Sequence, residues 1–167
     1  MAESLIIEQR GGFTLATIMA RKATTIDRLE AAIGFAPPTV PAAKSVKQMT
    51  LIATGPGTWL AVGDGSDGTT AAALSLRLAG LASVVDQSSG YAIFRLSGSG
   101  ARTLLQRGAP IDLHPSAFSP GSAAVTLIAH IGVVIWQEDQ LPTYNVAIFR
   151  SLSASFGDWL RAAVAAL

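Results

Sequence analysis

The chain contains no cysteine. That absence alone excludes disulfides, thiolate nucleophiles, iron–sulfur clusters and cysteine-bound zinc, and it suits a reducing compartment. Histidine is nearly as scarce, with two copies, His114 and His130. A metal site wants three or more ligands, so carboxylates would have to complete any set built on these two. Charge is thin: 14% of the 167 residues are Asp, Glu, Lys or Arg, against roughly 25% in an average soluble domain. No run of Lys and Arg occurs and the net charge is +1, so the basic footprint that grips nucleic-acid phosphates is missing. The longest charge-free stretch, Leu113 to Gln137, is broken by His114, Pro115, Pro120, Gly121 and Gly132. Its densest apolar part falls short of the ~20 residues that span a bilayer. The N-terminus places Glu3 and Glu8 where a signal peptide needs a basic start and an apolar run. These features predict a soluble cytoplasmic chain with neither nucleic acid nor membrane as partner.

What the chain has in excess is hydrophobicity, at 50% of residues. A domain of this length buries about 70% of its unfolded surface. The remaining charges are too few to coat its outside, and large exposed apolar patches mark interfaces. The composition therefore fits two readings: a small, Ala-rich, moderately sticky domain, or one with part of its surface covered by another chain.

The periodicity predicts an α+β fold. Phe13 to Met19 alternates as a strand, and a helix follows with Ile26, Leu29 and Ile33 on one face, Thr24 and Asp27 at capping-box spacing, and Gly34 as its stop. The prolines between Ala36 and Pro41 preclude regular structure there. Met49 to Thr54 and Thr58 to Val62 form a hairpin about Gly55-Pro56-Gly57. The turn Gly63 to Gly68 leads, with Asp67 as N-cap, into a helix carrying Ala71, Leu74, Leu78 and Leu81. Ala82 to Asp86 and Tyr91 to Leu96 read as the next strand pair, around Ser88-Ser89-Gly90. The order β-α-β-β-α-β is that of a split β-α-β, ferredoxin-like unit with a mostly antiparallel sheet.

The second part continues with a short helix, Gly100 to Arg107, and three β segments, Ala124 to Ile131, Val133 to Gln137 and Thr143 to Phe149, in an antiparallel meander. A last helix, capped by Ser155 and Asp158, repeats Phe156, Trp159, Leu160, Ala163, Val164 and Leu167 at helical spacing. Residues 1–12 read as an N-terminal arm and 13–167 as one α+β domain. The domain also reads as two similar halves, 13–88 and 91–167, with no repeat strong enough to prove duplication.

Catalytic chemistry finds no foothold. His130 sits in the apolar strand Leu127 to Val134, the setting of a hydrogen-bonded core histidine. His114 follows Asp112 by two residues in a Pro-rich loop, where local backbone is its natural partner. Asp112 and His114 could orient and deprotonate a serine, yet no serine lies in a G-x-S-x-G elbow. Gly98 and Gly100 follow a strand, but Thr103 stands where the dinucleotide fingerprint wants its third glycine, and no acidic residue lies ~20 positions on. These glycines read as a tight turn that admits a helix against the sheet. Gly63 to Gly68 lacks the ligand alternation and closing glutamate of a calcium loop. Trp59, Trp136 and Trp159 read as core or interface anchors. No catalytic, cofactor-binding or metal-binding residue is assigned.

Several linked segments nevertheless resemble one family. They are ASVVDQSSGYAIFRLSG (82–98), GAPIDLHPSAF (108–118), TLIAHIGVVIW (126–136) and TYNVAIFRSLSASFGDWL (143–160), with TGPGTWLAV (54–62) before them. In this order they resemble the gamma subunit of heterotetrameric sarcosine oxidase, over roughly residues 13–165. The resemblance implies a complex that oxidatively demethylates sarcosine to glycine, releases hydrogen peroxide and passes the one-carbon unit to tetrahydrofolate. It implies FAD, FMN and NAD in the alpha and beta subunits, zinc in the delta subunit and no cofactor in this chain. It also implies packing on the alpha subunit and a fold similar to the folate-binding domain of aminomethyltransferases. The charge-free stretch Leu113 to Gln137 is the expected contact, and self-association is expected when the chain is alone. The competing reading is a stand-alone folate-binding protein, in which Asp86, Asp112 or Glu138 would pair with the pterin edge.

Overall fold

The computed structural model describes residues 4–64 and 69–167. The chain opens with β1 (Ile6–Gln9) and leaves it for a unit spanning Gly11–Ser89. From Gly90 to Leu167 it builds the second unit, to which β1 also belongs. The first is called the inserted unit and the second the terminal unit. Among the described residues no helix is long and apolar enough to cross a membrane.

The inserted unit contains β2 (Phe13–Ala20), α1 (Ile26–Ile33), β3 (Ala43–Val46), β4 (Met49–Gly55), β5 (Thr58–Asp64), α2 (Thr69–Arg77) and β6 (Ala82–Asp86). Its sheet runs β3-β4-β5-β2-β6 with every pair antiparallel. Counting β2, β4, β5 and β6 as strands one to four gives the order 4-1-3-2, the split β-α-β arrangement, with β3 added at one edge. The alternation that made these strands legible puts Ala16, Ile18, Leu51, Trp59 and Ala61 on one face, against Leu29, Ile33, Leu74 and Leu78. Burial of a side chain such as Leu29, fully enclosed, contributes about 1.5–3 kcal/mol.

Two local expectations change here. Thr24 does not cap α1. Its hydroxyl donates to the Leu81 carbonyl at 2.8 Å, while Thr25 stands at the N-cap without a side-chain bond. The Leu81 carbonyl, which also accepts the Arg21 N–H at 2.8 Å, is the acceptor that wins. Gly34 does end the helix, at φ 100° with its N–H on the Glu30 carbonyl. The expected cap Asp67 lies outside the described residues.

The terminal unit adds β7 (Tyr91–Ser97), α3 (Gly100–Gln106), β8 (Ala123–Ile128), β9 (Ile131–Asp139) and β10 (Thr143–Phe149). A single 3-10 turn, Arg150–Leu152, then leads into α4 (Ser153–Ala165). Its antiparallel sheet runs β1-β7-β10-β9-β8. The stretch expected as an arm thus includes an edge strand, in register from Ile6↔Ser97 to Gln9↔Phe94. Phe94, Leu96, Ile135, Tyr144, Val146 and Ile148 face Leu104, Leu105, Phe156 and Leu160. Phe156 meets Phe94 edge-on, with ring centroids 5.1 Å apart. On the opposite face of the sheet Ile93, Trp136, Asn145 and Ala147 are buried too, which is why Val133 to Gln137 reads as a continuous apolar run.

β6 and β7 do not pair, contrary to expectation. β6 lies on β2 and β7 lies between β1 and β10. The reason is local. The Gln87 N–H donates to the Leu15 carbonyl at 2.7 Å, and the Ser88 hydroxyl accepts the Leu15 N–H at 2.9 Å. The chain therefore runs on along β2 through residue 88 instead of turning back. The meander forms, but its first turn falls at Ala129-His130 rather than near Gly132, both residues having positive φ. With Ile128↔Ile131 as the closing pair, Ile128, Val133 and Ile135 all reach the core. A turn displaced by one residue would send one strand's apolar set outward. α4 begins at Ser153, two residues ahead of the expected cap Ser155, with Leu152 at the N-cap and no side-chain bond. Asp158 instead pairs with Arg161 one turn on.

Candidate functional site

The groups weighed for chemistry do not gather into one site among the described residues. His130 is exposed at the β8–β9 turn, not in a strand core. His114 is exposed on the loop after α3. Its Nδ1 lies 2.8 Å from the Ser116 hydroxyl, and its N–H donates to Asp112 Oδ1 at 2.8 Å. Asp112 thus closes its own loop, with its carboxylate on the following backbone. Among the described residues no three of His, Asp and Glu gather as metal ligands.

The other two carboxylates are likewise engaged. Glu138 leaves β9 beside Asn145, whose Nδ2 donates to it at 3.0 Å, and Arg95 Nε donates at 3.4 Å. Asp86 accepts from the Ser88 hydroxyl at 2.7 Å and from the Ser88 N–H at 2.9 Å. These bonds, the hydroxyl's first, favour its ionised form and hold its carboxyl below the ordinary carboxylate value. The bonds on Asp86 and Asp112 fall on Oδ1, while Glu138 is bonded through both carboxylate oxygens. Burial raises both Tyr91 and Tyr144, the second partly offset by Arg102, whose Nε donates to the phenol oxygen at 3.2 Å.

The glycines after β7 serve packing. Gly98 has φ 101°, and a Cβ there would sit 2.3 Å from the Ser4 carbonyl oxygen. The Gly100 N–H donates to that same oxygen at 3.0 Å. This corner receives the chain before β1, so it offers phosphate no cradle. Trp59 is a core residue with its Nε1 on the Pro38 carbonyl at 2.7 Å. Trp136 is buried on the sheet face away from the helices, and Trp159 packs half-buried against Phe156.

What the terminal unit does present is an apolar, uncharged sheet edge. The charge-free stretch divides into two kinds of residue. Leu113, Phe118, Ile128 and Val133 to Gln137 are buried, so for them the absence of charge is ordinary core chemistry. Val125 and Leu127 on β8 are 59% and 49% exposed. They share a face, opposite Val134 and Gly132. At the same end of the sheet Phe149, 56% exposed, stacks on Tyr91 with centroids 5.1 Å apart. Edge strands normally carry charges, proline or a bulge that discourages pairing with other chains. β1 has Glu8, β3 has Lys44 and β6 has Asp86, whereas β8 has no charged residue at all. The sequence marks the wider stretch Leu113 to Gln137, within which Val125 and Leu127 are the exposed large hydrophobics. Tyr91 and Phe149 carry no such mark, since only the register Phe149↔Tyr91 brings them together.

A family model described as "Sarcosine oxidase, gamma subunit family" matches residues 20–166. The sarcosine oxidase subunit gamma of Arthrobacter sp is 36% identical over 61 residues, which is 36% of this chain and 30% of that protein. That of Corynebacterium sp. (strain P-1) matches with the same figures. The aligned stretch therefore spans less than a third of these curated relatives. Among solved structures, the heterotetrameric sarcosine oxidase from Corynebacterium sp. U-96, in complex with pyrrole 2-carboxylate, contains a chain that superposes with a TM-score of 0.86. The match covers 96% of this chain and 84% of that one at 23% identity. The glycine cleavage system aminomethyltransferase T from Bartonella henselae superposes at 0.69, over 93% of this chain and 45% of that one, at 12% identity. At such identities the two structures establish the fold.

Proposed function

The chain belongs to the sarcosine oxidase gamma subunit family, and from that premise we propose that it is the non-catalytic gamma subunit of a cytoplasmic sarcosine oxidase complex. The complex oxidatively demethylates sarcosine to glycine with peroxide release and hands the one-carbon unit to tetrahydrofolate. FAD, FMN, NAD and zinc are held by its partner subunits. The role of this chain is assembly, through packing on the alpha subunit. The observation that carries the reading is the family match across residues 20–166. Its structural support is the β8 edge, whose exposed Val125 and Leu127 have no charge to keep other strands away. Hydrophobic side chains of this kind gain from cover: about 25 cal/mol for each Å² removed from water.

The test is recovery of partners. The tagged chain, made in its native cell, is expected to bring down large flavin-containing subunits in stoichiometric amount, together with sarcosine-dependent peroxide release. Val125→Glu with Leu127→Lys is expected to cut that recovery at least tenfold, since uncovered apolar contacts and newly desolvated charges each cost a kcal/mol or more. The far-ultraviolet circular dichroism should stay unchanged, because both side chains point into solvent. Full recovery with the double variant would move the interface elsewhere. Recovery of the wild-type chain alone, well behaved and monomeric, would defeat the subunit reading itself.

A further inference from the structure

In the inserted unit a cleft of about 470 Å³ opens between the end of α1, the β3–β4 turn, the end of β5 and α2. That volume lies in the range of small-molecule sites, roughly 300–1,000 Å³. Its lining has two characters. Met49 lines one wall with Phe35 and Leu74, the last two almost wholly buried in the unit's core, while Lys47 in the β3–β4 turn and Arg77 on α2 supply the positive charge of the lining. Neither cation has a hydrogen bond or ion pair with any described residue. Among the described lining residues Asp64 is the acidic one, and it already has an interaction of its own.

Two details of the backbone keep the cleft in this form. Lys47 is the first residue of a two-residue hairpin turn closed by Val46↔Met49, and its φ is 55°. Such positions favour glycine or asparagine, so a long cationic side chain is kept here against conformational preference. Gly63 forms part of the lining, and a Cβ on it would sit 2.7 Å from both the Thr14 and Thr70 hydroxyls. Those hydroxyls are hydrogen-bonded to each other at 2.7 Å, and Thr14 is buried. A side chain at 63 would therefore displace the Thr14–Thr70 pair.

We propose that this cleft binds a small organic anion, a carboxylate or phosphate ester with a compact apolar body. Arg77 offers the planar fork that matches such a head group, and Lys47 adds a mobile point charge. Phe35, Met49 and Leu74 cover the apolar body. Inorganic phosphate or a neutral alcohol satisfies only one half of this lining. The site shares no residue with the β8 edge, so its occupancy is independent of the subunit role.

The experiment is calorimetric titration of the full chain with 3-phenylpropionate up to ~10 mM, enough to saturate a millimolar site, with 3-phenylpropanol as the uncharged control. Saturable binding of the acid at one molecule per chain, without binding of the alcohol, is expected. Arg77→Gln and Lys47→Gly are each expected to weaken it about tenfold, the usual scale of a lost charge-assisted contact. Lys47→Gly also relieves the positive φ, so its unfolding midpoint should not fall, which separates lost binding from lost folding. Absence of saturable binding, equal binding of the alcohol, or undiminished binding in both variants would overturn the proposal.

Discussion

Asp86 and Ser88 show how one local bond pattern reaches both pH response and topology. The Ser88 hydroxyl and N–H hold the Asp86 carboxyl low, while the same hydroxyl takes the Leu15 N–H. A group whose folded value is depressed adds stability that is complete above its unfolded value and is lost as pH falls through the folded one. The pH dependence it causes therefore lies on the acid side of the ordinary carboxylate range, where that stability is lost. Ser88→Ala removes the hydroxyl bond but leaves the backbone one. The expected result is an upward move of the Asp86 value toward that of a free carboxylate, read by nuclear magnetic resonance titration of its side-chain carboxyl. An unchanged value would mean that the hydroxyl does not set the ionisation. The tyrosines run the other way: burial raises Tyr91 and Tyr144, so their contribution is full below about pH 10 and fades as the medium becomes more alkaline.

Among the elements, the β8–β9 hairpin gives the sharpest contrast between residue choice and geometry. Ala129 and His130 have φ of 50° and 67°, the values of a turn that asparagine and glycine fill with least strain. Replacing the pair by Asn-Gly is expected to stabilise the terminal unit by about 1 kcal/mol, seen as a higher urea midpoint at unchanged slope. A fall in the midpoint would show that the alanine or the imidazole makes a contact worth more than the strain. The same hairpin shows what sequence reading reaches. Alternation and turn glycines mark eight of the ten strands among the described residues, whereas β1 and β3 are short edge strands whose largely exposed side chains leave no such pattern. The gap between the expected segments falls at Gly132, because a glycine is a stronger turn signal than two strained residues. Pairing partners were harder to read, as β6 and β7 show: the bond from Gln87 to Leu15 joins residues far apart in sequence and leaves no periodic trace. The missing charges mark the whole stretch Leu113 to Gln137, and only the structure separates its exposed Val125 and Leu127 from the buried remainder. Phe149 enters only through its register with Tyr91.

At the scale of the whole chain, the low charge is unevenly distributed in its consequences, with three sheet edges guarded and one bare. The two units also differ in how their strands are drawn from the sequence. The inserted unit uses one continuous segment, while the terminal unit borrows β1 from the other end of the chain. Leu5 and Ile7 pack partly buried against its core. Deleting residues 1–10 is expected to cost the terminal unit about 2–4 kcal/mol, from two partly buried side chains and a lost strand ladder. Amide hydrogen exchange would check this: protection should drop across β7 and β10 and hold across β2, β4 and β5. A uniform loss would mean that the two units unfold as one. The borrowing has a counterpart in time. Ser4, which donates its N–H to Ser99 from 95 positions away, leaves the ribosome long before its partner exists. β1, made ahead of the inserted unit, thus finds its place only after it, and until β7 emerges its row of amides awaits a partner strand. The segment Gly11–Ser89, made between the two, can complete its own sheet in that interval.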